Sequence, residues 1–469
     1  MATVFDPFRL ACTSAEVQGV GHATPQALAH MQQQRLTRLL SAARAGSRLY
    51  RERLAGMPEG GHADAASNAL AAIEPVNRDI LMERFDDWVC DPALSLPGLQ
   101  AWLADPANIG EPYLGRYLVW ESSGTSGSPG IFVQDAQAMA VYDALEALRR
   151  PSSPTPWRLW DPLYLTERIA FVGATNGHFA SFVTLQRMPQ LQPWLASSVK
   201  PFSILQPLDQ LVASLESFAP TVLATYPTAA SLLAEEVLGG RLRLTLRELW
   251  TGGETLGQAA RQRIERTLGC TVRNSYGASE FLAMGWECAQ GHMHLNTDWL
   301  LLEPVDERLK PVPPGQASHS MLLTNLANTV QPLIRYEMGD QITLHETPCA
   351  CGSLLPWVEV LGRRDDILRV RGSKPGSTVA LLPLALSTVL EDDAGVFDFQ
   401  IRQRDDHTLV LRLPGQGEAG QQAMKRARSV LKGHALLQGA APLRVVGELG
   451  QEVPRGRSGK ACRIHALRT

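Results

Sequence analysis

No uncharged apolar run among the 469 residues approaches membrane-spanning length, so no transmembrane helix is predicted. Nor is there a basic block, because 44 Lys and Arg stand against 47 Asp and Glu, a formal net charge of −3. Without a positive patch to neutralise phosphates, a nucleic-acid partner is not expected. Apolar residues make up 45% and charged ones 19%, a balance that excludes a disordered chain and suits a globular enzyme. Residues 1–12 carry Asp6 and Arg9 where a signal peptide needs an apolar core, so no secretion signal is expected. Seven cysteines, an odd number, then point to the reducing cytoplasm rather than to disulfides. No internal repeat or low-complexity tract stands out. At this length two or three domains are expected.

What is present centres on residues 119–135. The apolar stretch Tyr117 to Trp120 runs into Ser122-Ser123-Gly124-Thr125-Ser126-Gly127-Ser128-Pro129-Gly130, and apolar residues return at Ile131, Phe132 and Val133. This predicts a strand, a Gly/Ser/Thr loop and a second strand. Glycines let the backbone turn its N–H groups toward one point, and hydroxyls add donors beside them, an array that suits a polyphosphate. The same residues also suit a polar hairpin turn. No Gly-Lys-Ser/Thr follows and no helix pattern opens there, which excludes the P-loop of kinases and GTPases.

Residues 1–110 read as mostly helical. Thr24-Pro25 is a helix cap, and Leu28, Met31, Leu36, Leu39, Leu40 and Ala43 follow near a 3.6-residue repeat. Arg35, Arg38, Arg44, Arg48, Arg51 and Arg53 are expected on a solvated face. A helix is predicted over Gln134 to Arg149, then a Pro/Trp-rich connection from Pro151 to Pro162. Strands follow at Ile169 to Val172, Thr221 to Ala224, Leu246 to Trp250 and Cys270 to Ser275, with helices at Thr228 to Val237 and Leu256 to Leu268. That alternation argues for an α/β fold with ligands at the strand ends. Residues 300–344 read as a small β subdomain. Beyond residue 365 a small α+β domain is expected, with a strand at Ile367 to Val370, a helix near Leu382 to Leu390 and a strand pair at Phe397 to Arg402 and Leu409 to Leu413. A basic helix at Gln421 to Leu431 and a strand at Leu443 to Val446 complete it. The expected division is a helical part at 1–110, a large-domain core at 111–364 and a small mobile C-terminal lid at 365–469.

Five signatures stand in order: SSGTSGSPG (122–130), TGGE (251–254), SYGASE (275–280), IRYEMGD (334–340) with GRRDDILRVRG (362–372), and PRGRSGK (454–460). The ordered set resembles the adenylate-forming superfamily of acyl-CoA synthetases, peptide-synthetase adenylation domains and luciferases. The PLIRYEMGD wording, the WECAQGHMH segment and CACG before the hinge are similar to its phenylacetate–CoA ligase branch. The resemblance implies that Ser122, Ser123, Gly124, Thr125, Ser126 and Gly127 hold the β- and γ-phosphates of ATP. It implies that Gly252, Gly253, Glu254, Ser275, Tyr276 and Gly277 line the adenine, with Tyr276 stacked on it. Ser279 would reach the α-phosphate, Glu280 would ligate Mg²⁺, and Asp340 and Arg363 would contact the ribose. Asp365 would be the hinge, and Lys460 would bridge the acyl carboxylate and the α-phosphate. The acid pocket of that branch falls on residues 169–183, with Phe171, Phe179 and Phe182 as candidate walls or as plain core.

The implied activity is ATP-dependent formation of an acyl-AMP from an aryl or arylacetic acid, with pyrophosphate released. The acyl group would then pass to a thiol of CoA or a carrier protein. Anions must meet in the first step, so placement and cationic or N–H stabilisation carry the catalysis. Amide formation on an amine is the alternative, and a non-catalytic nucleotide-binding homologue the third reading. Two departures bear on this choice. RGSKPGSTVALLPLAL inserts a Gly/Pro/Ser loop between the hinge strand and the next helix, and Ser128 stands where many relatives carry lysine.

A second constellation is metallic. Cys288 and His294 flank a Gly-bearing turn and Cys349-Ala350-Cys351-Gly352 lies some sixty residues on, a set that suits tetrahedral Zn²⁺ in a closed structural site. His292 competes with His294 for the fourth position, and buried thiols without metal are the alternative. Cys12, Cys90, Cys270 and Cys462 read as ordinary thiols.

Overall fold

The computed structural model describes residues 4–56, 70–122, 129–149, 165–191, 196–363, 366–381, 383–454 and 463–467. The chain opens with helices α1 (Pro7–Gly19), α2 (Pro25–Gly46), α3 (Arg48–Arg53), α4 (Arg78–Glu83), α5 (Phe85–Trp88) and α6 (Leu96–Leu103). Their starts are set by side chains that satisfy first-turn N–H groups. Asp6 accepts from Phe8 and Arg9, Thr24 from Ala27, and Ser47 from Tyr50. Leu28, Leu36, Leu39 and Ala43 of α2 are buried, as the repeat predicts. Arg35 departs from the solvated face expected for it. Its Nη1 donates to the Asp298 carbonyl at 2.6 Å, and its guanidinium lies 3.4 Å from the Trp299 ring centre. A planar, weakly hydrated cation gains there from both carbonyl and ring.

A hairpin of β1 (Leu118–Glu121) and β2 (Ile131–Gln134) leads to α7 (Ala136–Leu148), capped by Asp135. Gln134 ends the strand rather than starting the helix. Next come β3 (Ile169–Gly173), α8 (Ala180–Leu191), β4 (Val199–Ser203), α9 (Leu208–Phe218), β5 (Val222–Thr225), α10 (Pro227–Leu238), β6 (Glu248–Gly252) and α11 (Gln258–Leu268). The strands β7 (Thr271–Ala278), β8 (Phe281–Glu287) and β9 (Met293–Leu295) follow. Then come β10 (Leu300–Val305), β11 (Ser320–Asn325), β12 (Tyr336–Glu337), β13 (Asp340–His345) and β14 (Trp357–Arg363).

The large sheet runs β13-β14-β9-β8-β7-β6-β5-β3-β4 among the described residues. From β4 to β7 it is parallel, and from β7 to β13 antiparallel. The parallel half carries the helical crossovers that such pairing requires. It brings the carboxyl ends of β6 and β7 together, where α/β sheets place ligands. Of the small β unit expected at 300–344, residues 300–337 form the sheet β10-β11-β12, whereas β13 joins the large sheet. The segment 275–280 is tighter than the strand-end loop expected from sequence. β7 runs on to Ala278 and pairs with Phe281 across an irregular register.

The last segment begins with the hairpin β15 (Leu368–Arg371) and β16 (Thr378–Leu381), then α12 (Pro383–Thr388) and a π-helical turn over Val389–Asp393. The stretch read as a plain loop before the helix is thus a hairpin with an extra strand, closed by a Gly372 N–H bond to the Ser377 carbonyl at 2.8 Å. β17 (Gln400–Gln403), β18 (Thr408–Leu413), α13 (Gly417–Leu437), β19 (Arg444–Leu449) and β20 (Ile464–His465) follow. α13 is longer at both ends than its predicted core. One apolar cluster, including Leu368, Leu386, Phe399, Leu411, Leu431 and Ile464, draws only on residues beyond 367. It meets the rest of the chain near α11, where Arg263 lies over Phe397 at 4.4 Å.

Candidate active site

Two hairpins and the end of a strand converge on one carboxylate cluster. Ser122 N–H donates to the Gly130 carbonyl and Gly130 N–H to Ser122 Oγ, both at 2.8 Å, so the glycine loop leaves the sheet from a closed base. Trp120 Nε1 donates to the Ser279 carbonyl at 2.8 Å and ties this hairpin to the β7–β8 turn. Ser123, Gly124, Thr125, Ser126, Gly127 and Ser128 lie outside the described residues, as do Asp365, Cys462 and Lys460.

Across the β7–β8 turn sits the cluster itself. Tyr276 Oη donates to Asp340 Oδ2 at 2.7 Å, and Tyr336 Oη donates to Glu280 Oε1 at 3.1 Å. Asp340 and Arg363 are register partners on β13 and β14, which sets the arginine beside the aspartate. Burial pushes the Glu280 carboxyl above its ordinary range, against the hydrogen bond from Tyr336 and the charge of Arg363. Burial, with Asp340 beside it, also holds the Tyr276 phenol well above its usual value, so it remains a donor. Two carboxylates, two phenols that donate to them and one arginine make an acidic pocket suited to hydroxyl groups and a hard cation.

Close backbone approach explains the glycines. A Cβ on Gly277 would lie 1.9 Å from the Leu282 carbonyl oxygen, and one on Gly252 would lie 2.8 Å from Ser275 Oγ. Gly253 has φ of 77°, in the left-handed region. Glu254 is held by the neighbouring helix. Its two oxygens accept from the Thr228 N–H and hydroxyl, each at 3.1 Å, which fixes the loop to the start of α10. Phe171, Phe179 and Phe182 are all buried on β3 and at the start of α8. The Phe171 ring covers Gly173, and the Phe179 ring lies against Gly177.

Sequence reasoning gave Tyr336 no role, although it stands inside the quoted IRYEMGD. Its position four residues before Asp340 was the signal available. Only the β11–β12 pairing shows that its hydroxyl faces Glu280.

The cysteines form a separate cluster at the antiparallel end of the sheet. Donor atoms of Cys288, His294, Cys349 and Cys351 all lie within 4.8 Å of one another. Cys288 Sγ is 3.8 Å from Cys349 Sγ, and Cys351 Sγ is 3.3 Å from His294 Nε2. Thiolates bound to zinc at about 2.3 Å in a tetrahedron would stand ~3.8 Å apart. His294 Nδ1 is paired with the Leu355 carbonyl at 2.7 Å, which leaves Nε2 as the free ligand atom. His292 instead stacks on Trp357 at 4.2 Å, with Nδ1 3.2 Å from Cys349 Sγ. Burial raises the Cys349 thiol, but the Cys351 N–H and the neighbouring imidazoles outweigh it and bring it down to about 6.

No protein-family model matches the chain. A solved 2-hydroxyisobutyryl-CoA ligase, in the postadenylation state in complex with 2-HIB-AMP, superposes with a TM-score of 0.67 at 21% identity. The match covers 93% of this chain and 89% of that one. The fold is that of the adenylate-forming ligases. Two curated phenylacetate–coenzyme A ligases are similar in sequence. That of Thermus thermophilus is 32% identical over 173 residues, 35% of this chain and 39% of its own. That of Escherichia coli is 31% identical over 167 residues, 34% of this chain and 38% of its own. The chain thus spans about two fifths of the length of the curated relatives it matches. Over that stretch the chain is similar in sequence to phenylacetate–CoA ligases. None of its described helices is long and apolar enough to cross a membrane.

Proposed function

We propose that this adenylate-forming chain is an ATP-dependent ligase that activates a carboxylic acid as acyl-AMP and passes the acyl group to the thiol of CoA. In the first step a carboxylate oxygen attacks the α-phosphorus, the bond to the β-phosphate breaks and pyrophosphate leaves. In the second a thiolate attacks the acyl carbon and AMP leaves.

The observation that carries this reading is the assembly of Tyr276, Glu280, Tyr336, Asp340 and Arg363 beside the closed base of the glycine loop. Asp340 accepts well from the paired hydroxyls of a ribose, with Arg363 alongside. Glu280, buried and held by Tyr336, offers a hard oxygen ligand, so Mg²⁺ fits there and would neutralise phosphate charge. Lys460 is assigned the cation that meets the acid carboxylate, and Asp365 the pivot that withdraws it before transfer. The similarity to CoA ligases supports a thiol acceptor.

The test is pyrophosphate release with ATP, Mg²⁺ and a panel of aryl and short hydroxy acids, with and without CoA, a carrier-protein thiol or amines. Acid-dependent release, with thioester formed only when CoA is added, is the expected result. Amide without thioester would transfer the assignment to an amine acceptor. ATP binding without release on any acid would overturn the enzyme assignment.

We also propose a structural Zn²⁺ on Cys288, His294, Cys349 and Cys351. The donor set and the sulfur spacing fit a closed tetrahedral site. With no open position, it would stabilise the junction of β9 with the turns at 288–292 and 349–353 rather than take part in the chemistry.

A further inference from the structure

A small, partly open cleft lies on the face shared by β6, β7 and β8, beside the nucleotide motifs. Register explains its walls. Trp250 pairs with Arg273, Gly252 with Ser275, and Ser275 with Trp286, so all point to one side of the sheet. Ser275 is a wall of this cleft and also the first residue of the SYGASE motif. If that motif holds the adenylate, as proposed above, the cleft receives the acyl portion of the same molecule.

The partners of its polar groups are uneven. Arg149 is fully engaged, bidentate with Asp298 at 2.6 and 2.7 Å and bonded to Asn296 at 2.8 Å. Trp250 donates its indole N–H to Glu248 at 2.9 Å. Arg273 Nε and Trp286 Nε1, in contrast, are buried and find no acceptor among the described residues. The Trp286 ring is held in place by stacking on His294 at 5.2 Å. A buried donor left unpaired costs more than a formed hydrogen bond gains, so two of them in one cleft mark a place that a ligand oxygen completes. Glu146 adds a carboxylate to the same wall and disfavours a second anion.

From this we infer that Arg273 and Trp286 select an acid that carries a neutral oxygen, hydroxyl or carbonyl, at the end remote from its reacting carboxylate. Trp250 and Ala283 supply the apolar sides, so the body between the two polar ends is hydrocarbon or aromatic. An unsubstituted acid fills the same space and leaves both donors unpaired.

The experiment compares kcat/KM, by pyrophosphate release, for phenylacetate and benzoate against their hydroxy-, acetyl- and carboxy-substituted forms. Hydroxy or acetyl forms should exceed the parent acids by at least about tenfold. Arg273→Met and Trp286→Phe should each shrink that ratio toward one, and Arg273→Lys should restore part of it. A merely structural loss would lower all acids together, leave the ratio intact and overturn the assignment. Preference for the parent or the carboxy forms would also overturn it. If no acid gives pyrophosphate, the ligase reading fails while this one is still decided. Dissociation constants for the same acids, measured by calorimetry on the full chain, must then show the same ratio and the same response to the variants, or the inference falls.

Discussion

Gly277→Ala adds one methyl group at the tightest point of the site. Its Cβ would lie 1.9 Å from the Leu282 carbonyl oxygen, whereas real Cβ atoms essentially never approach within 3.0 Å. The obstacle is backbone, so the β7–β8 hairpin has to open by at least about 1 Å. Tyr276 is the preceding residue, and its 2.7 Å bond to Asp340 cannot survive a shift of that size. Misplacing a binding group by ~1 Å costs on the order of 10²-fold in turnover. Phe281 at the other side of the turn is fully buried and packs edge-on against Tyr142, so overpacking should also cost about 1–3 kcal/mol of stability. Pyrophosphate release as a function of ATP concentration reads the first effect, and thermal unfolding the second. Gly433→Ala is the control. It lies within α13 with nothing inside 4 Å of the added atom, so it should stabilise by about 1 kcal/mol and leave ATP use alone. If Gly277→Ala left kcat/KM for ATP within about threefold of the parent protein, the close approach would not be what positions Tyr276, and the reasoning would fail.

Lys460→Ala should lower acyl-AMP formation by ~10²–10³-fold while sparing transfer from supplied acyl-AMP, a split read by assaying each half-reaction. Glu280 has its carboxyl raised by burial, so its ionised, cation-binding form gains as pH rises through the folded value and is lost below it. The Mg²⁺ concentration needed for half-maximal pyrophosphate release should therefore fall with rising pH, and Glu280→Gln should abolish that slope; an unchanged slope would remove Glu280 as the ligand. Cys349→Ser should release about one zinc per chain and lower the unfolding temperature more than it alters kcat, by metal analysis and calorimetry; metal-free protein of full stability would refute the site. Arg149→Met would leave Asp298, fully buried, without its bidentate partner, and should cost about 3–5 kcal/mol in denaturant unfolding.

The sequence alone determined whatever depends on neighbours a few residues apart. Thr24 announces a helix start because a short polar side chain satisfies an N–H within its own first turn, and Asp6, Ser47 and Asp135 set their helices by the same local means, although the sequence reading started the last of these at Gln134. The α2 stripe and the alternation of strands and helices from 169 to 275 follow from period, and the order of the five motifs carries the family resemblance. Tertiary structure decided what depends on register between distant segments. Tyr276 meets Asp340 across 64 residues, and Tyr336 meets Glu280 across 56. Neither pair is visible until the fold brings β7, β12 and β13, none of them neighbours in a sheet, to one place. The choice of His294 over His292 in the cysteine cluster is of the same kind. Two residues apart, they share one face and both reach the cysteines, but the pairing of β9 with β8 and β14 aims His294 Nε2 at Cys351 while His292 stacks on Trp357 beside Cys349. Arg35 shows the reverse error, a charge placed on the solvated face by its sequence spacing and half-buried because Asp298 and Trp299, in the turn before β10, come to it. A strand that slips by one residue turns every side chain over, so such contacts are properties of the assembled sheet and of no single stretch of sequence.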